Sequence, residues 1–271
     1  MHRSQSSVSY LVAKLQEQLG ISLLVIEGRK ARLTDAGQTL LVHANELLTD
    51  ALNLEKLARS LAQGWEPELR LVVDQAFPKS LLSQAMQRFQ QLAVQTRVEL
   101  VEVVLSGAEE AVVARQADVM VGAYVPTGYL GSLLMDLEFV AVSHKTHPLQ
   151  MLGRQIDEED LKRHRHIVVR DSGTVNPRDE GWLGSSQRWT VSSLQASIEL
   201  IAAGLGFAWL PEHLVRPWLS NDIVRPLPLA KGQRRRASLY LVTGGGRSMQ
   251  TGPAAKLLAR TLEETVTASS L

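Results

Sequence analysis

Hydrophobic positions near the start of the chain recur at three- and four-residue steps: Val8, Leu11, Val12, Leu15 and Leu19. This spacing predicts a short amphipathic helix, and Gly20 supplies its stop. The helix start is unusual, because Arg3, Ser4, Gln5, Ser6, Ser7, Ser9 and Tyr10 crowd together there. Serine is an indifferent helix former, so such a run needs a reason other than helix stability. Two readings stand side by side. One is a serine-rich cap on a surface helix. The other is a set of short side chains that bond phosphates and base edges when a helix N-terminus enters a DNA major groove.

The next apolar run, Leu23-Leu24-Val25-Ile26, is followed by a turn at Glu27-Gly28-Arg29-Lys30 and a return through Ala31-Arg32-Leu33-Thr34. That predicts a two-stranded hairpin whose basic tip is either simply solvated or laid along a DNA backbone. Thr34-Asp35 then caps a long helix over about 36–63. Within it Leu40, Ala44, Leu47, Ala51, Leu54, Ala58 and Leu61 alternate in steps of four and three, which is the seam of a coiled coil. A heptad helix beside a DNA-reading element predicts a two-fold assembly on a two-fold site. Gly64-Trp65-Glu66-Pro67 reads as a hinge.

From Leu69 the pattern changes to alternating strands and helices. Strands are predicted over 69–73, 98–104, 118–122 and 138–142, with helices over 78–92 and 108–115. A second set follows, with strands at 166–169, 188–191 and 207–210 and helices at 157–163 and 193–203. A last strand (238–242) and helix (253–266) close the chain. This order predicts an α/β domain with a largely parallel sheet. Two such groups joined by crossing strands leave a cleft, where small ligands bind in these architectures.

Composition narrows the function. With 271 residues, 45% of them hydrophobic, the chain can bury a large core in two or three domains. Its net charge of +1 excludes a polycation. Residues 1–34 nevertheless carry Arg3, Lys14, Arg29, Lys30 and Arg32 against only Glu17 and Glu27, which suits phosphate contact. There is no cysteine, hence no disulfide, thiolate metal site or thiol nucleophile. No apolar run approaches the roughly 18 residues needed to cross a bilayer, and no secretion signal is visible. A soluble cytoplasmic protein without a membrane partner is expected. No nucleophile elbow, P-loop, zincin or dinucleotide motif occurs in a fitting context, so no enzyme activity, cofactor or metal is expected. His164-Arg165-His166 lacks carboxylate ligands and reads as a surface or capping element. His144 and His147 read as structural loop residues, and Arg234-Arg235-Arg236 as a solvated loop.

Taken together, these residues form a recognisable pattern: over nearly all its length the chain resembles the LysR-type transcriptional regulators. Ser4-Gln5-Ser6-Ser7-Val8-Ser9, with Leu15 and Leu19-Gly20, resembles the family's S-Q-x-x-[VL]-S…L-E-x-x-L-G. Gly28 to Gly37 is similar to the wing and its L-T-x-A-G entry into the linker helix. Ile201 to Pro211 is similar to V-x-x-G-x-G-[IV]-x-x-[LV]-P, and 118–122 and 147–149 add weaker matches.

The resemblance implies an α/β protein: a winged helix-turn-helix and long linker helix, then a two-lobed effector domain like the periplasmic binding proteins. The implied boundaries are 1–35, 36–64 and 65–271, with lobe I at about 68–142 and 241–271 and lobe II at about 143–240. Implied partners are double-stranded promoter DNA, a small-molecule effector such as an anion or metabolite, and further copies as a homodimer or homotetramer. Arg3, Ser4, Gln5, Ser6, Ser7, Ser9, Tyr10 and Lys14 would meet DNA, with Arg29, Lys30 and Arg32 on the wing. Placement at strand ends assigns Asp74, Gln75, Ser106 and Tyr124 from the first lobe, and Ser172 and Thr174 from the second, to the effector.

Departures from the family pattern leave a second reading open. Gln16 replaces the usual glutamate, Leu24-Val25-Ile26 replaces a phenylalanine and a wing arginine, and Tyr10 and Ala13 stand where basic residues are common. Met1 falls inside the motif, so the helix-turn-helix is expected to lack its first helix and the start of its second. The alternative is therefore a small-molecule binding module with no DNA binding of its own.

Overall fold

The computed structural model describes residues 5–27, 30–93, 96–244 and 251–269. It divides into two compact units, with the boundary between Ala62 and Gln63.

The N-terminal unit contains α1 (Gln5–Leu19), an antiparallel hairpin of β1 (Leu24–Glu27) and β2 (Lys30–Leu33), and α2 (Asp35–Ala62). Gln16 closes the end of α1 onto the hairpin: its side-chain oxygen accepts from the amides of Leu23 at 2.7 Å and Leu24 at 3.0 Å. A glutamine does this as well as a glutamate, since only an acceptor oxygen is used. Thr34 caps α2, its hydroxyl accepting from Gly37 N and donating to Ser22 O. The apolar stripe of α1 (Val8, Leu11, Leu15, Leu19) is exposed, and so are Leu47, Leu54 and Leu61 on the heptad seam of α2.

The C-terminal unit follows in the order β3 (Glu68–Asp74), α3 (Lys79–Leu92), β4 (Arg97–Val103), α4 (Ser106–Val113), β5 (Val119–Gly122) and β6 (Gly131–His144). Next come α5 (Glu158–Lys162), β7 (His166–Val169), β8 (Arg188–Val191), α6 (Leu194–Ala202) and β9 (Phe207–Pro211). α7 (Glu212–Ser220), β10 (Val224–Pro226), β11 (Arg234–Thr243) and α8 (Pro253–Ser269) complete it. The strands lie in one sheet ordered β4-β3-β5-β11-β6-β9-β7-β8, with β10 also on β6.

The sheet is parallel only towards its two edges, where β3 joins β4 and β5, and β7 joins β8 and β9. Its centre is antiparallel, because β11 runs opposite to both β5 and β6, and β6 runs opposite to β9 and β10. The expectation of a largely parallel sheet is thus corrected. β6 and β11 are also longer than their hydrophobic segments predict. Each runs out of one half-sheet into the other, and the two pair from Arg234–Val140 to Val242–Gly131, with a register shift between Leu239 and Tyr240. Polar residues continue both strands because cross-strand backbone bonds do not depend on side-chain polarity. α7 and β10 lie outside the predicted elements.

Two cores result. Leu69, Leu71, Val73, Phe77 and Phe89 pack with Leu258 and Leu262 of α8 on the first half-sheet. Phe207, Leu149, Ile156 and Leu227 pack under the second. β6 and β11 hold the two lobes side by side, so the ends of β3, β4 and β5 face the ends of β7 and the loop after it.

Candidate functional site

On α1, Ser7, Tyr10 and Lys14 are three and four residues apart and share one helical face; they and Ser9 are exposed. Arg32 is exposed on β2. Arg3, Ser4 and Arg29 lie outside the described residues, as do the side chains of Gln5, Ser6 and Lys30.

Between the lobes lies a cavity of about 250 Å³. Asp74 and Tyr124 line it from the first lobe, His166 and Trp182 from the second, and Phe139 and Arg235 from the crossing strands. The Asp74 carboxylate accepts from the amides of Ala76 at 2.8 Å and Leu105 at 2.9 Å. Burial pushes it up to about 6 despite those bonds. Tyr124 donates its hydroxyl to Glu180, and the Arg178 guanidinium lies 3.6 Å from its ring centre. Burial, then the bond to Glu180, holds the Tyr124 phenol above its usual range.

The His166 imidazole stacks on Phe207, with ring centres 4.9 Å apart and planes within 8°. Trp182 and Trp209 stand around it. Burial first, then the positive charges of Arg235 and Arg188, lowers its pKa to about 4, so it is neutral at pH 7. The expected surface or capping role of the 164–166 stretch is corrected for this residue: β7 turns His166 inward, where it is buried. The solvated loop expected at Arg234-Arg235-Arg236 is corrected too. These residues open β11, where Arg234 pairs with Glu138 and Glu212 and Arg235 lies over Trp209.

The other assigned residues sit beside the cavity and join the lobes directly. Gln75 accepts from the Leu194 amide at 2.9 Å, at the start of α6. Ser106 donates its hydroxyl to Asp171 at 2.6 Å and its amide to the same carboxylate at 3.1 Å. The Ser172 hydroxyl donates to Val104 O and accepts from Val104 N. Thr174 bonds Glu110 through both hydroxyl and amide, at 2.6 Å each, and Arg178 reaches Glu109 at 2.7 Å. Two serine–glycine pairs interlock in this seam. A Cβ on Gly107 would stand 2.0 Å from the Ser172 hydroxyl, and one on Gly173 would stand 2.1 Å from that of Ser106. Asp171, Trp182, His166 and Arg235 were not predicted as site residues; a polar or charged residue inside or beside a strand was the only signal for Asp171, His166 and Arg235, and Trp182, in the loop between β7 and β8, had none.

The buried imidazoles predict a pH response. His147 and His166 are both pushed down to about 4 by burial, whereas an unfolded chain titrates near 6.5. Over that interval the unfolded state binds more protons, so stability falls as pH drops from about 6.5 towards 4. Asp74 acts in the opposite sense between about 4 and 6, because its native form holds a proton longer. His166→Phe keeps a ring on Phe207 and is expected to lose less stability than the unaltered protein between neutral pH and about pH 5. Urea midpoints measure this; equal losses would contradict a neutral His166.

The matches to known proteins cover both units. Residues 1–38 match the family described as bacterial regulatory helix-turn-helix protein, lysR family, and residues 62–267 match the LysR substrate binding domain. Among relatives, the HTH-type transcriptional regulator YeeY of Escherichia coli K12 is 34% identical over 226 residues, covering 82% of this chain and 73% of its own. The E. coli K12 regulator PunR is 25% identical over 228 residues, with the same coverages of 82% and 73%. Two full-length structures share the fold: the Vibrio cholerae virulence activator AphB (TM-score 0.56, 14% identity, 96% of this chain and 89% of that one) and LysG of Corynebacterium glutamicum with bound effector arginine (TM-score 0.56, 16% identity, 98% and 89%).

Proposed function

Because the chain belongs to the LysR family of transcriptional regulators, we propose that α1 and the β1–β2 hairpin meet promoter DNA while the cavity between the lobes holds the effector. The observation that carries the effector half is the cavity itself, walled by both lobes and by the two strands that cross between them. A ligand touching both walls favours one lobe angle over another, and that difference in affinity is what effector control requires. LysG, which has the same fold, carries its effector arginine. The DNA half rests on the exposed face of Ser7, Tyr10 and Lys14, with Ser9 also exposed on α1 and Arg32 exposed on β2. The boundaries we propose are residues 1–35 for DNA reading, 36–64 for the linker and 65–271 for the effector domain, with lobe II at about 143–240. Leu47, Leu54 and Leu61 are exposed on one chain and suit pairing with a second copy through α2, as a dimer or a tetramer. The role is regulatory rather than catalytic, and it is exercised in the cytoplasm, where the DNA is.

A gel-shift titration of the full chain on its own upstream region tests the DNA half; retardation at low salt is expected. Lys14→Ala should weaken binding about equally on all sequences and reduce the salt slope by about 1, as loss of one phosphate contact does. No retardation at low salt would leave only the small-molecule module.

A further inference from the structure

Charge and shape on the cavity wall narrow the ligand class. Arg234 is neutralised by Glu138 and Glu212. Its neighbour Arg235 has no acidic partner among the described residues, only burial acting on it, and its guanidinium carbon lies 4.4 Å from the centre of the Trp209 ring. Glycine at 181 makes this position possible: the backbone there has φ +88°, and a Cβ would stand 2.8 Å from the Arg235 Nη1. The acids on the same wall are already engaged, Asp74 by two backbone amides and Glu180 by the Tyr124 hydroxyl. A partly buried guanidinium without a counter-ion is paid its desolvation cost only when an anion arrives, and its planar fork matches a carboxylate.

The rest of the wall is aromatic, with Trp182 and Trp209 inclined at 48° to each other. Trp182, Trp209 and His166 are grouped with ring centres 5.5 to 6.1 Å apart. The Nδ1 of His166 is buried with no hydrogen-bond partner among the described residues. The volume of about 250 Å³ is below the roughly 300–1,000 Å³ of pockets that take drug-sized ligands. A small ring system fits these walls better than a flexible chain, because stacking on indole rewards a planar partner.

We infer that the cavity binds a small planar aromatic monoanion, its carboxylate on the Arg235 guanidinium and its ring against Trp182 and Trp209. This rests on reading the cavity as the effector site.

The test uses benzoate and benzylamine, which match in size and differ in sign of charge, titrated into the full chain and followed by tryptophan fluorescence and calorimetry. Four proteins are compared: unaltered, Arg235→Gln, Arg235→Lys, and Ala123→Trp, which fills the cavity from the end of β5. Circular dichroism melts confirm that each is folded. The expected result is that benzoate binds and benzylamine does not. Arg235→Gln should weaken benzoate roughly tenfold to a hundredfold, Arg235→Lys should weaken it less, and Ala123→Trp should abolish it. Benzylamine binding that Ala123→Trp abolishes would overturn the anion assignment while leaving the cavity reading intact. Benzoate binding that Ala123→Trp leaves unchanged would overturn both. Failure of benzoate to bind at millimolar concentration would overturn the aromatic-anion assignment.

Discussion

Asp171→Ala is expected to destabilise the effector domain by roughly 3–5 kcal/mol, because several donors lose their acceptor at once and each buried group left unsatisfied costs about 1–3 kcal/mol. Asp171 is buried, and its carboxylate accepts four bonds: from the Ser106 hydroxyl at 2.6 Å, Ser106 N at 3.1 Å, Gly173 N at 2.8 Å and Arg178 N at 2.7 Å. Burial alone would raise its pKa, but the four donors outweigh it and hold the carboxyl below the usual range. Alanine leaves all four donors without an acceptor, and two of them belong to the opposite lobe. Relief of the repulsion from Asp74 returns only part of this, since that effect is minor beside burial on Asp74 itself. Asp171→Asn retains one acceptor oxygen and should fall between the two. Urea unfolding measures the series. A loss under about 1 kcal/mol for the alanine variant would mean that water satisfies the seam.

Gly37→Ala is expected to unfold the N-terminal unit while leaving the melting of the effector domain unchanged. A Cβ at 37 would stand 2.2 Å from the backbone oxygen of Leu23 and 3.1 Å from the Leu33 side chain. The first obstacle is backbone and cannot rotate away. That same oxygen accepts from Thr34 N at 3.0 Å, so moving it breaks the junction between the hairpin and α2. Overpacking in a large core typically costs about 1–3 kcal/mol. Here the clash is with main chain in a unit of about 60 residues, where little stability is in reserve. Gel shift should lose retardation, and hydrogen exchange should show loss of protection confined to residues before 63. An unaltered gel shift would show that the junction gives way more cheaply than this geometry allows.

The N-terminal unit was legible because its signals are local. A period of three to four residues, a basic turn and a heptad read out as α1, the hairpin and α2 within a residue or two. Gly37 was visible as part of the L-T-x-A-G pattern, but the reason for it, the approach of Leu23 O, exists only once the hairpin folds back. At the site, Asp74 and Tyr124 could be placed because cavity walls collect at the ends of strands. Ser172 drew notice while its neighbour Asp171 did not, since neither lies in a periodic segment that fixes which way a side chain points. Trp182 lies in the long loop between β7 and β8, where no pattern exists to read. His166 and Arg235 were misjudged for a different reason. Both are polar residues of strands, and what covers them comes from β9, which is distant in sequence from either β7 or β11 in the sense that matters: it is brought there by β6.

β11 sits between β5 and β6, although it leaves the ribosome more than a hundred residues after either starts. Until residues 234–243 emerge, the first lobe has two exposed strand edges where its middle should be, and α3 lacks its partner α8. Closure of that lobe therefore waits for the last part of synthesis, and the intervening edges are open to mispairing with other chains during that wait. Sheets assembled from such distant segments also fold slowly, because the loop must close before the contacts repay it. A nascent chain stalled before residue 234 should thus be protease-sensitive throughout the first lobe, and release of the complete chain should protect it in a single step.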